Sequence, residues 1–124
     1  MGERVLIVDD NAQNLKLARL ILSAEGYEVR TAPDAEQAVE TIASFSPRVV
    51  LMDIQLPGMD GLELTRRLKR DAVTKHIIVI AVTAYAMKGD EEKARAAGCD
   101  GYVTKPVDAE ALVALLGELL GRQG

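Results

Sequence analysis

The chain has 124 residues, a formal net charge of −4, and 48% apolar against 27% charged residues, the size and balance of one ordinary globular domain. The mild acidity argues against a polyanion-binding surface, which needs a clustered basic face, and a single cysteine, Cys99, cannot form an internal disulfide. No apolar run approaches the ~18 residues that span a bilayer, and Met1 to Arg4 leads into an apolar run with no signal-peptide pattern, so the cytoplasm is the expected compartment, with neither nucleic acid nor membrane as partner.

Along the chain, short β-branched runs alternate with longer stretches of helical spacing. The strands are predicted at Val5 to Val8, Val29 to Ala32, Val49 to Met52, Ile77 to Val82 and Tyr102 to Thr104. The first helix draws a wide apolar face from Leu15, Ala18 and Leu22 together with Leu17, Ile21 and Ala24, and Gly26 stops it. Asp34 with Gln37 three residues on reads as a capping box for the second helix, backed by Ala35, Ala38, Val39 and Ile42. Leu62, Leu64 and Leu68 mark a third. The fourth, about Lys88 to Ala97, is highly charged, and its apolar face is mostly alanine, so it should pack weakly, as suits an element that moves. Asp108 caps the fifth, whose Leu112, Leu115, Leu116, Leu119 and Leu120 form one stripe. Five βα units imply an α/β fold: a parallel sheet with helices on both faces. Residues 1–124 read as a single domain with no output domain, and the start at Met1 and the completed last helix favour a natural stand-alone chain.

Open parallel sheets bind ligands beyond the carboxyl ends of their strands. Past the first strand come Asp9, Asp10 and Asn11; the third ends at Asp53; the fourth ends at Thr83 and Ala84; the fifth is followed by Lys105 and Pro106. Each residue alone is unremarkable, since an acid after a strand is usually a turn former or helix cap. Their conjunction at one sheet edge carries the signal. Three carboxylates converging there repel one another unless a cation compensates. Mg²⁺ suits such a site, because it takes oxygen ligands and bridges to phosphate oxygens. Lys105 adds a compact positive charge, Thr83 a hydroxyl donor, and Ala84 a backbone N–H that a small side chain leaves approachable. Phosphoryl transfer asks for a nucleophile, a metal, a cation and a few donors, and an aspartate can be the nucleophile. Cys99 reads as a small buried residue and His76 as a surface or capping one.

These residues resemble a known family, the receiver domains of bacterial two-component response regulators. The matching stretches are Val5 to Asn11, Leu51 to Gly61, Ala81 to Ala84 and Tyr102 to Pro106, and the likeness covers the whole chain. The run from Ala81 through Met87 to Glu92 is similar to that of stand-alone, DivK-like receivers and of receivers attached to hybrid kinases. The resemblance implies a flavodoxin-like (βα)5 fold with strand order 2-1-3-4-5. It implies that Asp53 takes a phosphoryl group from a histidine kinase or phosphotransfer protein, and that Asp9, Asp10, Asp53 and the backbone carbonyl of Gln55 hold Mg²⁺. Thr83 and Lys105 would grip the phosphoryl oxygens, with Ala84 contributing a backbone contact. Tyr102 occupies the aromatic switch position, and the Lys105–Pro106 bond is expected to be cis. Output is expected through protein contact at the face of the fourth helix, fifth strand and fifth helix. Such a protein is a switch rather than an enzyme, limited to autophosphorylation and slow self-dephosphorylation.

Three other readings compete. The chain could be a receiver excised from a hybrid histidine kinase. A Mg²⁺-dependent phosphohydrolase of the haloacid-dehalogenase type usually spaces its first two aspartates one residue apart, whereas Asp9 and Asp10 are adjacent. A flavin or dinucleotide carrier lacks support, since no Gly-x-Gly-x-x-Gly follows the first strand.

Overall fold

A computed structural model of the chain describes residues 2–54, 61–83, 88–105 and 108–123. In chain order the elements are β1 (Arg4–Val8), α1 (Ala12–Ala24), β2 (Glu28–Ala32), α2 (Ala35–Phe45), β3 (Val49–Asp53), α3 (Gly61–Arg70), β4 (Ile78–Thr83), α4 (Asp90–Ala97), β5 (Gly101–Thr104) and α5 (Ala109–Gln123). The strands form one parallel sheet in the order β2-β1-β3-β4-β5, as the five βα units and the family resemblance lead one to expect.

The central strands are apolar on both faces because both are covered. Their alternation splits the core in two. Leu6, Val8, Val50, Met52, Val79 and Ala81 face α2, α3 and α4, where they meet Ala38, Ile42, Leu64, Leu68 and Ala94. Val5, Ile7, Val49, Leu51, Ile78 and Ile80 face α1 and α5, where they meet Leu22, Leu112, Leu116 and Leu119. At about 0.8 kcal/mol per buried methylene these two layers supply most of the driving force for folding.

Local signals mostly set the element ends. The side chain of Asn11 caps α1, accepting from the N–H groups of Gln13 and Asn14 at 2.9 and 3.0 Å, and Gly26 follows its end with φ 90°. Asp34 caps α2 by accepting from the Gln37 N–H at 2.8 Å. The Gln37 side chain reaches the Asp34 carboxylate at 3.4 Å rather than the backbone N–H that a full capping box uses.

Three details differ from the sequence reading. The apolar face of α1 is narrower than its leucines suggest: Leu15, Ala18 and Ile21 pack against the core and Leu22 is buried, while Leu17 is 52% exposed and Ala24 also lies at the surface. A helix seated on one face of a sheet buries only an arc of its circumference, and Leu17 lies on the flank of that arc. Val39 of α2 is exposed for the same reason. The fourth helix starts at Asp90 rather than Lys88 because Gly89, with φ 88°, stands at its N-cap.

Candidate functional site

Parallel pairing brings every strand's carboxyl end to one edge. Val8 pairs with Met52, Asp53 with Val82, and Thr83 with Thr104, so the residues just past these positions share one small volume. Ligand oxygens of Asp9, Asp10 and Asp53 all lie within 4.8 Å of one another. Asp9 and Asp53 are buried and Asp10 is exposed.

Lys105 closes the group. Its ammonium lies 2.8 Å from Asp9 Oδ2 and 3.2 Å from Asp53 Oδ2. Its own N–H donates to the Thr83 carbonyl at 2.7 Å, so the end of β4 fixes the start of the lysine. Burial disfavours the Lys105 ammonium, but hydrogen bonds and charge from Asp9 and Asp53 outweigh that penalty and hold its pKa above the ordinary value. Asp9 is further held by Asn11, whose backbone N–H donates to Oδ1 at 2.8 Å. The N-cap of α1 therefore also orients an acid of the site.

The donor set fits a hard divalent cation: carboxylate oxygens converge, one of them open to solvent where water ligands can remain. Lys105 supplies the neutralising charge on two of the three acids and leaves Asp10 without that partner.

Thr83 is fully buried at the end of β4. Tyr102, one strand over, pairs with Ala81. It is half-buried and packs on the core layer beneath α2, α3 and α4. Burial, then the charges of Asp90 and Glu91, push its phenol pKa up. Gln55, Ala84 and Pro106 lie outside the described residues.

One contributor went unassigned in the sequence. Gly61 opens α3 directly against the backbone of Asp53: a Cβ there would lie 2.3 Å from the Asp53 carbonyl oxygen and 2.8 Å from Ile54 Cα. Only glycine allows that approach. No local signal marks it, because the contact joins the start of α3 to the end of β3.

A family model for the response regulator receiver domain matches residues 5–117. The polar-differentiation response regulator DivK of Brucella ovis is 44% identical over 121 residues, 98% of this chain and 98% of that one. A CheY-like receiver domain protein from Methanospirillum hungatei has a similar structure, with a TM-score of 0.91 at 34% identity over 99% of this chain and 97% of that one. The receiver domain of a Pseudomonas aeruginosa sensor histidine kinase, solved with magnesium coordinated in its active-site cleft, matches with a TM-score of 0.88 at 32% identity over 98% and 99% of the two chains. By the family match over residues 5–117 and the 44% identity with DivK, this chain belongs to the response regulator receiver domain family of two-component signalling.

Proposed function

We propose that Asp53 is the phospho-acceptor of a phosphorelay switch. The observation that carries this is the cluster itself: a buried aspartate at a central strand end, two further acids within 4.8 Å and an ammonium at 3.2 Å. An Asp53 carboxylate oxygen attacks the phosphorus of a phosphohistidine on a histidine kinase or phosphotransfer protein. The new O–P bond forms as the P–N bond breaks, and the imidazole leaves with the electron pair and takes up a proton. Asp9, Asp10 and Asp53 would hold Mg²⁺, which when bound neutralises the acids and draws charge from the transferring phosphoryl oxygens. Lys105 moves its ammonium from Asp53 to a phosphoryl oxygen, and the Thr83 hydroxyl donates to another.

Turnover is confined to this self-modification and its slow hydrolysis, so the protein is a switch and not an enzyme. It works in the cytoplasm. Phosphorylation adds about −1.5 to −2 charges at neutral pH. Drawing Thr83 toward that charge opens space for Tyr102, and the local event becomes a repacking of α4, β5 and α5. That face would then meet a downstream protein.

Incubation with acetyl phosphate and Mg²⁺, followed by intact mass measurement, tests the assignment. The parent should gain one phosphate and Asp53→Asn none. A gain that persists in Asp53→Asn refutes it.

A further inference from the structure

Among the described residues, the C-terminal end of α4 is tied to its neighbours by a dense set of bonds. At its C-terminal end, Gly98 takes φ 108°, and the N–H groups of Gly98 and Cys99 return to the carbonyls of Arg95 and Ala94, closing a Schellman motif. A side-chain clasp follows. Lys69 of α3 donates from one ammonium to Asp100 Oδ2 at 2.9 Å and to the Ile77 carbonyl at 2.6 Å. Asp100 Oδ2 also accepts from the Val79 N–H at 2.9 Å, and the Asp100 N–H donates back to the Val79 carbonyl at 2.7 Å.

Packing reinforces the clasp. A Cβ at Gly98 would lie 2.7 Å from Lys69 Cγ, so the lysine stem lies against the helix end. One turn earlier on α3, Thr65 Oγ1 donates to the Gly61 carbonyl at 2.8 Å and lies 3.9 Å from the buried Cys99 sulfur. α3, the start of β4 and the α4–β5 corner are thus one bonded unit. The N-terminal end of α4 has Gly89 as its cap, which offers no side-chain bond. Its exposed Glu91–Arg95 pair stays within the helix, and the buried residues of α4, Ala94 and Ala97, lie in its second half.

We infer that the Lys69–Asp100 clasp is a fixed pivot, so that α4 moves by swinging its first turn while its C-terminal end stays in place. The inference rests on the reading of α4 as the moving element of the switch. Eight residues at 1.5 Å rise make a lever of about 12 Å, so a tilt of about 10° displaces the first turn by roughly 2 Å with little motion at Gly98.

Amide hydrogen exchange, read residue by residue by NMR on the unphosphorylated chain and corrected for intrinsic rates, tests the pivot. The amides of Gly98, Cys99 and Asp100 should exchange roughly ten-fold or more slowly than those of Lys93 to Arg95, the reverse of ordinary end fraying. Lys69→Met keeps the stem and removes the charge, and should erase that gradient; Asp100→Asn, which is milder, should reduce it. Uniform protection along α4 in the parent, or a gradient unaltered in both variants, overturns the inference. With acetyl phosphate and Mg²⁺, shift changes should gather at Asp90 to Lys93 and Tyr102 and spare Gly98 to Asp100; the opposite distribution overturns it too. If no phosphate is taken up, the function proposed above fails, while the exchange gradient still decides the pivot.

Discussion

Replacing Asp10 by Asn should stabilise the metal-free protein, and the structure says why this acid and not its neighbours. Lys105 compensates Asp9 and Asp53 at 2.8 and 3.2 Å, whereas Asp10 is exposed and lacks that ammonium. Carboxylate oxygens no more than 4.8 Å apart repel by at least about 0.9 kcal/mol at the dielectric of water and about 3.5 kcal/mol at an effective constant of 20. The exposure of Asp10 argues for the lower figure, and it acts twice, once on each neighbour. Against this stands the loss of a negative charge near the N-terminus of α1, about 0.5 kcal/mol, and screening by salt. The net gain is about 1 kcal/mol. An unfolding entropy of about 2.1 cal/mol/K per residue turns that into roughly 4 °C for a chain of this length. Thermal melts in EDTA at low ionic strength measure it. The gain should fall below half in about 1 M salt, where the Debye length is about 3 Å. Asp53→Asn should give a smaller gain, because it also removes a partner of Lys105. An Asp10→Asn protein no more stable than the parent, or a larger gain from Asp53→Asn, refutes the reasoning.

Other substitutions probe the same frame. Lys105→Met removes the ammonium that two buried acids share and should cost about 3 kcal/mol without metal, while tightening Mg²⁺ binding in a calorimetric titration because the competing ammonium is gone. The Lys105 pKa is raised on folding, so its stabilising contribution is present at all pH below its unfolded value, 10.5, and disappears as pH rises through the folded one; urea melts of parent and variant at neutral and strongly alkaline pH should converge only at the latter. Gly61→Ala drives a methyl into the Asp53 carbonyl at 2.3 Å and should cost about 1–3 kcal/mol while slowing phosphate uptake. Burial pushes the Cys99 thiol pKa up, so native protein should react with a disulfide reagent far more slowly than urea-unfolded protein at pH 8; equal rates would contradict its placement.

The fold was legible because its signals are local and repeated. Continuous apolar runs such as Val49 to Met52 mark strands covered on both faces, and Gly26 and Asp34 mark helix ends through backbone geometry and capping. The site acids were legible because parallel topology sends every strand end to one edge, so position along the chain predicts position in space. What stayed hidden depends on contacts across the fold. Nothing in the spacing of α1 says that Leu17 falls outside the arc that the sheet covers. Nothing near Gly61 reveals that α3 abuts the Asp53 backbone. Nothing in the sequence pairs Lys69 with Asp100, 31 residues away, until the corner after α4 folds back onto α3. The asymmetry among the three acids was equally invisible, since it depends on where a single lysine side chain lands.

The residue that carries the phosphoryl group decides whether Asp53 is the acceptor. Borohydride reduction of an aspartyl phosphate leaves homoserine in place of the aspartate, and peptide sequencing locates it. After treatment with acetyl phosphate and Mg²⁺, homoserine should appear at position 53, and only there. Homoserine at position 9 or 10, or none at any aspartate despite phosphate uptake, would contradict the assignment of Asp53 as the acceptor.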